Sequence, residues 1–133
     1  MAASLGRLTK RAEFQRVAAA RRKSVMPGLV LQAAARSGDN AGVARVGYTA
    51  SRRVGNAVAR NRARRRLRAA VDRVMPAHAS SDVDFVVIAR VGTLDRPFPD
   101  LVRDLERALK RLDAWRVAAN NAGGRVRPLE RRG

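Results

Sequence analysis

The segment from Ser51 to Arg68 most constrains this chain, because it contains eight arginines and no acidic residue. Such a run of like charges repels itself unless a polyanion neutralises it, and nucleic-acid phosphate is the common polyanion. Ordinary solvated helices mix both signs of charge, whereas here only Asp72 follows the arginines before the next proline. Arginine used almost alone also favours forked, planar recognition of phosphate. The segment therefore predicts a nucleic-acid-binding surface.

The same segment predicts a helix with two distinct faces. Gly55-Asn56 reads as a turn followed by an N-cap and Pro76 as a stop, so we expect one helix over residues 57–75. At 100° per residue an apolar stripe falls on one side. The stripe contains Ala59, Ala63, Leu67, Ala70, Val71 and Val74; the opposite face contains Asn61, Arg64, Arg65 and Arg68, flanked by Arg62, Arg66 and Arg73, with Arg60 at the border. One side should pack while the other binds phosphate.

Composition narrows the class of partner. The length of 133 residues indicates one domain with a modest core, and the net charge of +18 favours a polyanion without identifying it. A membrane surface is the rival polyanion, but the apolar stripe is mostly alanine and offers no Trp or Phe to lipid. With no membrane-spanning run and no hydrophobic signal core, we expect a cytoplasmic protein. Cysteine is absent, and the single His78 lies in a predicted loop, so no metal site is expected.

The remaining chain predicts strands and two further helices. Thr9 would cap a helix from residue 10 to about residue 20, and Asp100 or a neighbour would cap the last helix. The predicted strands are residues 29–35 and 45–50, joined as a hairpin by the turn-forming residues 37–42, and a central strand at 83–89; the last helix would bury Leu101, Val102, Leu105, Ala108, Leu109 and Leu112. This order predicts an α+β sandwich with helices on one face of the sheet. Residues 1–117 would form a single RNA-binding domain, and residues 118–133 a basic disordered tail.

Several ordered motifs around the basic helix resemble the bacterial ribonuclease P protein family. They are Arg45-Val46-Gly47, Ser51-Arg52-Arg53, Val54-Gly55-Asn56-Ala57-Val58, and Arg60-Asn61-Arg62 followed by Arg65 and Arg68. Leu8-Thr9, Phe14 and the stretch from Asp84 to Arg90 match as well, so the resemblance covers roughly residues 5–112. A basic helix alone is a weak signal, but the order and spacing of these blocks is specific.

The resemblance implies a fold and an activity. The fold would be a two-layer sandwich of one sheet of about four strands with three helices, similar to a ribosomal small-subunit protein domain. Its strand–helix–strand crossover would be left-handed, against the general rule. The chain would be the protein subunit of an endoribonuclease that removes the 5′ leader from precursor tRNA. A large RNA subunit would be the catalyst and would hold most of the Mg²⁺, so the protein would have no catalytic residue and no metal site. Neither DNA nor a membrane is an expected partner.

The resemblance also implies two groups of binding residues. The catalytic RNA would contact the basic helix and its entry through Arg52, Arg53, Asn56, Arg60, Asn61, Arg62, Arg65 and Arg68, and Arg64 shares that face. The leader of precursor tRNA would lie in a cleft beside the first helix, at Phe14, Val17, Val30, Arg45 and Arg90. Ala18 and Gln32 replace aromatic residues that are common in the family. Stacking of a base on an aromatic ring contributes roughly 1–3 kcal/mol, so leader contacts should depend more on arginine and shape.

Three other interpretations stay open at this point. A ribosomal or RNA-chaperone protein would have similar charge but no leader preference. A DNA-binding protein could place the basic helix in the major groove, although no second helix precedes it by a short turn. An autonomous nuclease would need a catalytic constellation, and the nearest pair of carboxylates is Asp82 and Asp84. Beside so many arginines, this pair is better interpreted as ion-pair partners.

Overall fold

A computed structural model describes residues 5–36 and 42–117 of the chain. In these ranges it contains a sheet of five strands, three α-helices and two short 3-10 turns. The strands are β1 (Gly6–Arg7), β2 (Lys23–Val25), β3 (Leu29–Ala35), β4 (Arg45–Thr49) and β5 (Val83–Ala89); the helices are α1 (Arg11–Ala19), α2 (Ala57–His78) and α3 (Phe98–Arg111); the 3-10 turns are Arg52–Val54 and Val91–Leu94. The α+β class and the three helices are confirmed, with five strands instead of about four.

Strand β5 occupies the centre of the sheet, whose order is β1-β4-β5-β3-β2. It pairs antiparallel with β3, where Leu29 faces Ala89, and parallel with β4, where Arg45 faces Asp84. The predicted hairpin between β3 and β4 is therefore wrong. The sequence of β5 is apolar almost without interruption, which favours a central strand with both faces covered. Strand β5 therefore lies between β3 and β4 and separates them. Helix α2 connects the parallel neighbours β4 and β5, and the hand of this crossover stays a prediction.

The helices cover both faces of the sheet. Helices α2 and α3 pack on the face that carries Leu31, Phe85 and Val87, and this is the main core. Helix α1 packs on the opposite face, where Val17 meets a smaller apolar cluster with Ala34 and Val86. The prediction that helices cover one face is thus wrong in this respect. Alternate residues of β3 and β5 are apolar on the second face as well, and α1 covers that surface only in part.

Helix α2 begins where predicted but ends later. The side-chain oxygen of Asn56 accepts a hydrogen bond from the Ala59 N–H at 2.9 Å, as an N-cap does. The apolar stripe is confirmed, since Ala63, Leu67, Ala70, Val71 and Val74 are buried. The predicted stop at Pro76 is wrong, because a proline near the helix end costs only one helical hydrogen bond. The helix continues to His78, whose ring stacks on Trp115 with centroids 3.9 Å apart.

The N-caps of the other two helices lie one residue after and three residues before the predicted caps, Thr9 and Asp100. Helix α1 is capped at Lys10 and not at Thr9; the Glu13 carboxylate accepts the N–H groups of both. Helix α3 is preceded by Pro97, and Asp100 lies in its first turn. The short strands β1 and β2 are additional to the predicted strands. No helix in the described ranges has the length and apolar character needed to cross a membrane. The predicted tail, residues 118–133, lies outside those ranges.

Candidate nucleic-acid interface

The outer side of α2 forms what we call the α2 arginine face. It consists of Asn61, Arg62, Arg64, Arg65 and Arg68, of which Arg64 is half-buried and the others are exposed. With Val58 in place of Arg62, the same residues line a shallow depression of about 450 Å³. Within residues 5–36 and 42–117, no ion pair joins an α2 arginine to a carboxylate. Except for Arg60, the sequence-predicted RNA contacts on this helix are therefore gathered on one surface, whose arginines form no ion pair within the described ranges.

One guanidinium nitrogen of Arg64 is buried within this surface. Its Nη1 atom is buried and has no hydrogen-bond partner among the described residues. A buried donor without a partner is costly, and the cost is larger for a charged group. A phosphate oxygen entering the depression would satisfy it with a charge-assisted hydrogen bond. Val58, which is 73% exposed at the same place, adds an apolar contact for a base or sugar.

Two arginines of the segment, Arg60 and Arg66, donate hydrogen bonds to backbone carbonyls of the protein. Arg66 donates from Nε to the Thr93 carbonyl at 3.0 Å and from Nη2 to the Arg96 carbonyl, so it holds the chain between β5 and α3. Arg60 turns back to the Gly55 carbonyl at 3.0 Å. The helical pattern placed Arg66 only on the flank of the arginine face. No local signal could reveal its role, because its partners come from a loop about thirty residues later.

Arg68 lies at the edge of the face, over the ring of Tyr48. The guanidinium carbon is 5.1 Å from the ring centroid, which is a cation–π distance. Burial is the main cause that raises the pKa of Tyr48 to about 12, with Asp72 acting in the same direction and Arg68 opposing it. Tyr48 therefore stays neutral at physiological pH and supports the arginine without adding charge.

The entry to α2 carries further predicted contacts. Arg52 and Arg53 are exposed on the turn before the helix. Arg53 and Arg90 line one depression of about 410 Å³, at the end of β5. Arg90 also donates from Nη1 to the Met26 carbonyl at 2.7 Å, which fixes its stem. Asn56 caps the helix, so its side-chain oxygen is engaged in local structure.

Four of the five predicted leader residues lie on the sheet face that carries α1, and the fifth, Arg90, follows the end of β5. Phe14 and Val30 are half-buried there, together with Gln32, Thr49 and Ile88. Val17 is fully buried in the small apolar cluster, because the helical spacing that gives it a shared face with Phe14 places it against the sheet. Its role as a leader contact stays a prediction. Ala18, where the family often has an aromatic residue, is exposed on α1.

Gly47 explains how Phe14 sits. A Cβ atom at this position would lie 2.5 Å from Cζ of Phe14 and 3.1 Å from the Cβ of Leu8. The absence of a side chain at this position therefore allows the aromatic ring to approach the strand closely. The ring rests directly on the backbone of β4, at the border between the covered and the open part of the sheet face.

A cluster of charged residues joins α1 to the same sheet face, and we call it the Asp84 cluster. Its centre is the fully buried Asp84, and the other members are Glu13, Arg16, Arg36 and Arg45. Arg45 donates to Asp84 twice, from Nε at 2.8 Å and from Nη2 at 2.7 Å, and from Nη1 to Glu13 at 3.2 Å. Arg36 donates to Asp84 at 2.7 Å, and Arg16 donates to it as well. Arg45, a predicted leader contact, is thus held by carboxylates.

The donors of the cluster decide its protonation states. Burial alone would raise the pKa of the Asp84 carboxyl, but the hydrogen bonds from Arg45, Arg36 and Arg16 outweigh burial and hold the pKa below its ordinary value. The N–H groups of Lys10 and Thr9, with Arg45, lower the pKa of Glu13. The hydrogen bonds to Asp84 raise the pKa of Arg45. All these groups are charged at neutral pH.

The carboxylates at the start of β5 therefore serve structure. The ion-pair prediction is confirmed for Asp84. In the described ranges the Asp82 side chain accepts a hydrogen bond from the Gly42 N–H, and an ion pair at Asp82 stays a prediction. In the described ranges no group of three or more His, Cys, Asp and Glu side chains is arranged to hold a metal ion. What the described surface offers chemically is recognition of phosphate and of an extended chain.

Comparison with known proteins agrees with this geometry. The family model described as Ribonuclease P matches residues 3–113. The ribonuclease P protein component of Paramagnetospirillum magneticum is 60% identical over 116 residues, covering 86% of this chain and 87% of that protein. The corresponding protein of Gluconacetobacter diazotrophicus is 51% identical over 111 residues, covering 84% and 94%.

Solved structures agree as well. The RNase P protein of Staphylococcus aureus superimposes with a TM-score of 0.68 at 27% identity, covering 82% of this chain and 96% of that one. The RNase P protein from Thermotoga maritima has a TM-score of 0.66 at 24% identity, covering 79% and 96%, and supports the fold alone. From the ordered motifs, the family model, the close relatives and the shared fold, it follows that this chain belongs to the ribonuclease P protein family.

Proposed function

We propose that this chain is the protein component of a ribonuclease P that matures the 5′ ends of tRNA, and that it binds two RNAs. The α2 arginine face would bind the catalytic RNA subunit, and the sheet face beside α1 would bind the 5′ leader of precursor tRNA. The observation that carries the proposal is an arginine surface that forms no ion pair with any described carboxylate and includes Arg64, whose buried Nη1 has no hydrogen-bond partner among the described residues. Membership of the family supplies the reaction.

The contribution of such a protein to the reaction is electrostatic. Bringing a polyanionic substrate onto a polyanionic catalyst is opposed by repulsion, which Mg²⁺ or a cationic protein offsets. Mg²⁺ bound mainly by the RNA would carry out the hydrolysis. Because the arginines are fixed on a rigid helix, they are positioned before the RNA arrives, which lowers the entropy cost of binding.

The proposed contacts to the catalytic RNA fall into two groups, according to whether the side chain already hydrogen-bonds within the protein. The first group is exposed, apart from the half-buried Arg64, whose Nη1 has no partner among the described residues; it consists of Arg52, Arg53, Asn61, Arg62, Arg64, Arg65 and Arg68. Arg60 and Asn56 hydrogen-bond within the start of α2, so their main contribution is to hold the helix entry. We expect the first group to determine the salt dependence of RNA binding and the second to affect it only indirectly.

The leader would follow the open part of the sheet face. Phe14, Val30 and Ile88 provide an apolar surface there, and Arg90 provides a cation at its end. Arg53 lies with Arg90 in one depression, so the two RNA surfaces meet at the turn before α2. With Ala18 and Gln32 in place of aromatics, replacing Ala18 by Phe should strengthen leader binding by about the contribution of one stacked base.

The test is cleavage of precursor tRNA at low Mg²⁺ by the catalytic RNA alone, by this protein alone and by the mixture. We expect only the mixture to cut, at the mature 5′ end, and Arg65→Ala to reduce this cleavage. Arg103→Ala is the matched control, because Arg103 is exposed on α3 and already paired with Asp100. Cleavage by the protein alone would reveal an active site in the protein. A mixture that binds RNA without cutting would favour a ribosomal or chaperone role.

A further inference from the structure

The proposed function gives no role to the buried carboxylate of Asp84, although it joins distant parts of the fold. It accepts hydrogen bonds from Arg16 on α1, from Arg36 after β3 and from Arg45 on β4, while Asp84 itself belongs to β5. A carboxylate removed from water keeps its charge only when such donors surround it. This single side chain therefore organises four elements around one negative charge.

Helix α1 depends on this charge because its apolar contact with the sheet is small. Val17 is the one fully buried residue of the helix, and Phe14 is half-buried. Arg16 bonds to Asp84 directly, and Glu13, one turn earlier, bonds to Arg45, which is itself bonded to Asp84. Both ion-paired attachments of α1 to the sheet thus lead to the same carboxylate, and one further hydrogen bond runs from Arg16 Nη1 to the Ala35 carbonyl at 3.3 Å.

We propose that Asp84 is a positioning residue for the 5′ leader, acting through Arg16 and Arg45 to fix α1 and the Phe14 ring at the border of the leader surface. This inference rests on the proposed function, in which that surface binds the leader. Phe14 rests on Gly47 without space for a Cβ, so even a small shift of α1 changes the surface that a base would meet. Stacking depends on the placement of the ring, and loss of the Asp84 charge would release it.

The direct test is Asp84→Asn, which keeps the shape of the side chain but removes its charge. All three guanidinium groups would then lose the negative charge of Asp84, while Arg45 would keep its ion pair with Glu13. The measurement is the affinity of the reconstituted holoenzyme for precursor tRNA with a long leader and with a leader trimmed to one nucleotide. The ratio of the two affinities is the gain due to the leader. We expect Asp84→Asn to reduce this gain by about tenfold, the order of one stacked base.

The affinity for the catalytic RNA separates positioning from general loss of stability. The α2 arginine face lies on a helix that packs on the other side of the sheet, so this affinity should stay within about twofold of wild type for the folded variant. Asp104→Asn is the matched control. Asp104 is also fully buried, and it bonds to Arg96 and to the Gly28 N–H, but on the side of α3. Its replacement should leave the leader gain unchanged.

A milder variant is available if Asp84→Asn does not fold at the assay temperature. Arg16→Met removes the direct bond between α1 and Asp84 and the longer bond from Arg16 Nη1 to the Ala35 carbonyl, and it leaves the bonds of Arg36 and Arg45 to Asp84 in place. It should reduce the leader gain by about threefold, and Arg16→Lys, which keeps the charge, should restore part of the loss. These two variants measure the effect of α1 position on leader binding while Asp84, Arg36 and Arg45 stay unchanged.

The position of α1 can also be measured without RNA. The chain contains no cysteine, so spin labels at Ala18→Cys on α1 and Val25→Cys on β2 report one distance, and both sites are exposed. We expect Asp84→Asn, or Arg16→Met in its place, to shift or broaden the distance distribution. The corresponding Asp104→Asn variant should not change it.

The outcomes separate this inference from the proposed function. Loss of the leader gain and movement of α1 in the Asp84 or Arg16 variants, with neither in Asp104→Asn, would support the inference. An unchanged gain in a folded variant, an unmoved α1, or an equal loss in Asp104→Asn would overturn it and leave the proposed function standing. A wild-type holoenzyme without any leader gain would overturn the leader surface itself.

Discussion

The two arginine-rich regions of this chain use the same side chain for opposite purposes. In the Asp84 cluster, Arg16, Arg36 and Arg45 surround a buried carboxylate, and the charge is balanced within the protein. On the α2 arginine face, no carboxylate of the described residues lies within ion-pair distance, and a buried nitrogen of Arg64 has no hydrogen-bond partner among those residues. Arginine balanced by carboxylate holds elements together, whereas arginine left unbalanced is available for phosphate.

The largest difference between the two regions should appear in the free energy of unfolding of the Asp84→Asn variant. Removing one partner of a buried ion pair leaves uncompensated charge, so we expect a loss of about 3 kcal/mol in the free energy of unfolding. Urea unfolding at neutral pH measures this loss. Arg65→Ala, on the unbalanced face, serves as the comparison and should change the same free energy by less than about 0.5 kcal/mol. Equal losses in the two variants would remove the distinction between the regions.

Arg66 tests whether the distinction follows contacts or sequence position, because it lies in α2 but hydrogen-bonds to two carbonyls. Arg66→Met keeps the aliphatic stem and leaves the carbonyls of Thr93 and Arg96 without this donor. We expect a loss of stability of about 1–3 kcal/mol with little change in the salt dependence of RNA binding. Arg62→Met, four residues earlier and exposed, should behave in the opposite way. If both variants alter only RNA binding, the carbonyl contacts of Arg66 contribute nothing to the fold.

The effect of a single phosphate contact is smaller. Arg65→Ala should weaken binding of the catalytic RNA by about 1 kcal/mol and reduce by about one the slope of log affinity against log salt concentration. Filter binding over a series of salt concentrations measures both quantities. A folded variant with wild-type slope would show that Arg65 does not touch phosphate, and a loss of the circular-dichroism signal would show that it faces the core.

The smallest expected effect is the pH dependence of the free energy of unfolding, which is confined to acidic pH. The pKa of Asp84 in the folded chain lies below its ordinary value of 3.8, so folding favours the ionised form. This stabilisation is complete above the ordinary value and is lost as the pH falls through the lower folded pKa. Unfolding free energy should thus decrease below about pH 4, by at most about 1.4 kcal/mol per pH unit for this carboxyl. The decrease should be shallower in Asp84→Asn and unchanged in Arg65→Ala.

Local signals allowed much of the fold to be predicted. The turn, cap and periodicity of α2 gave its start and its buried stripe, and the bounds of β3 and β5 match their apolar runs. The pairing of strands could not be predicted locally, because β5 enters between β3 and β4 from a later part of the chain. Pro76 was misleading, since the same residue that ends a helix is also tolerated in a last turn with favourable tertiary contacts.

The site was predictable to the extent that it lies on one helix. Asn61, Arg62, Arg65 and Arg68 are adjacent through helical spacing alone, so the sequence contains their arrangement. The roles of Val17, Arg45 and Arg66 depend on partners from elsewhere: a sheet face, a buried carboxylate and two loop carbonyls. Motif resemblance assigns residues to a region, but it does not tell which of them the fold itself occupies.

The central position of β5 also has a consequence for the order of folding. Paired residues of β3 and β5 are separated by about fifty to sixty positions, and α2 lies between these strands in the chain. Pairings of such long range close slowly, so the sheet cannot form until the arginine-rich helix has already left the ribosome. That helix is thus exposed to RNA before the domain is complete. We expect the catalytic RNA to accelerate refolding, which stopped-flow fluorescence of Trp115 would measure.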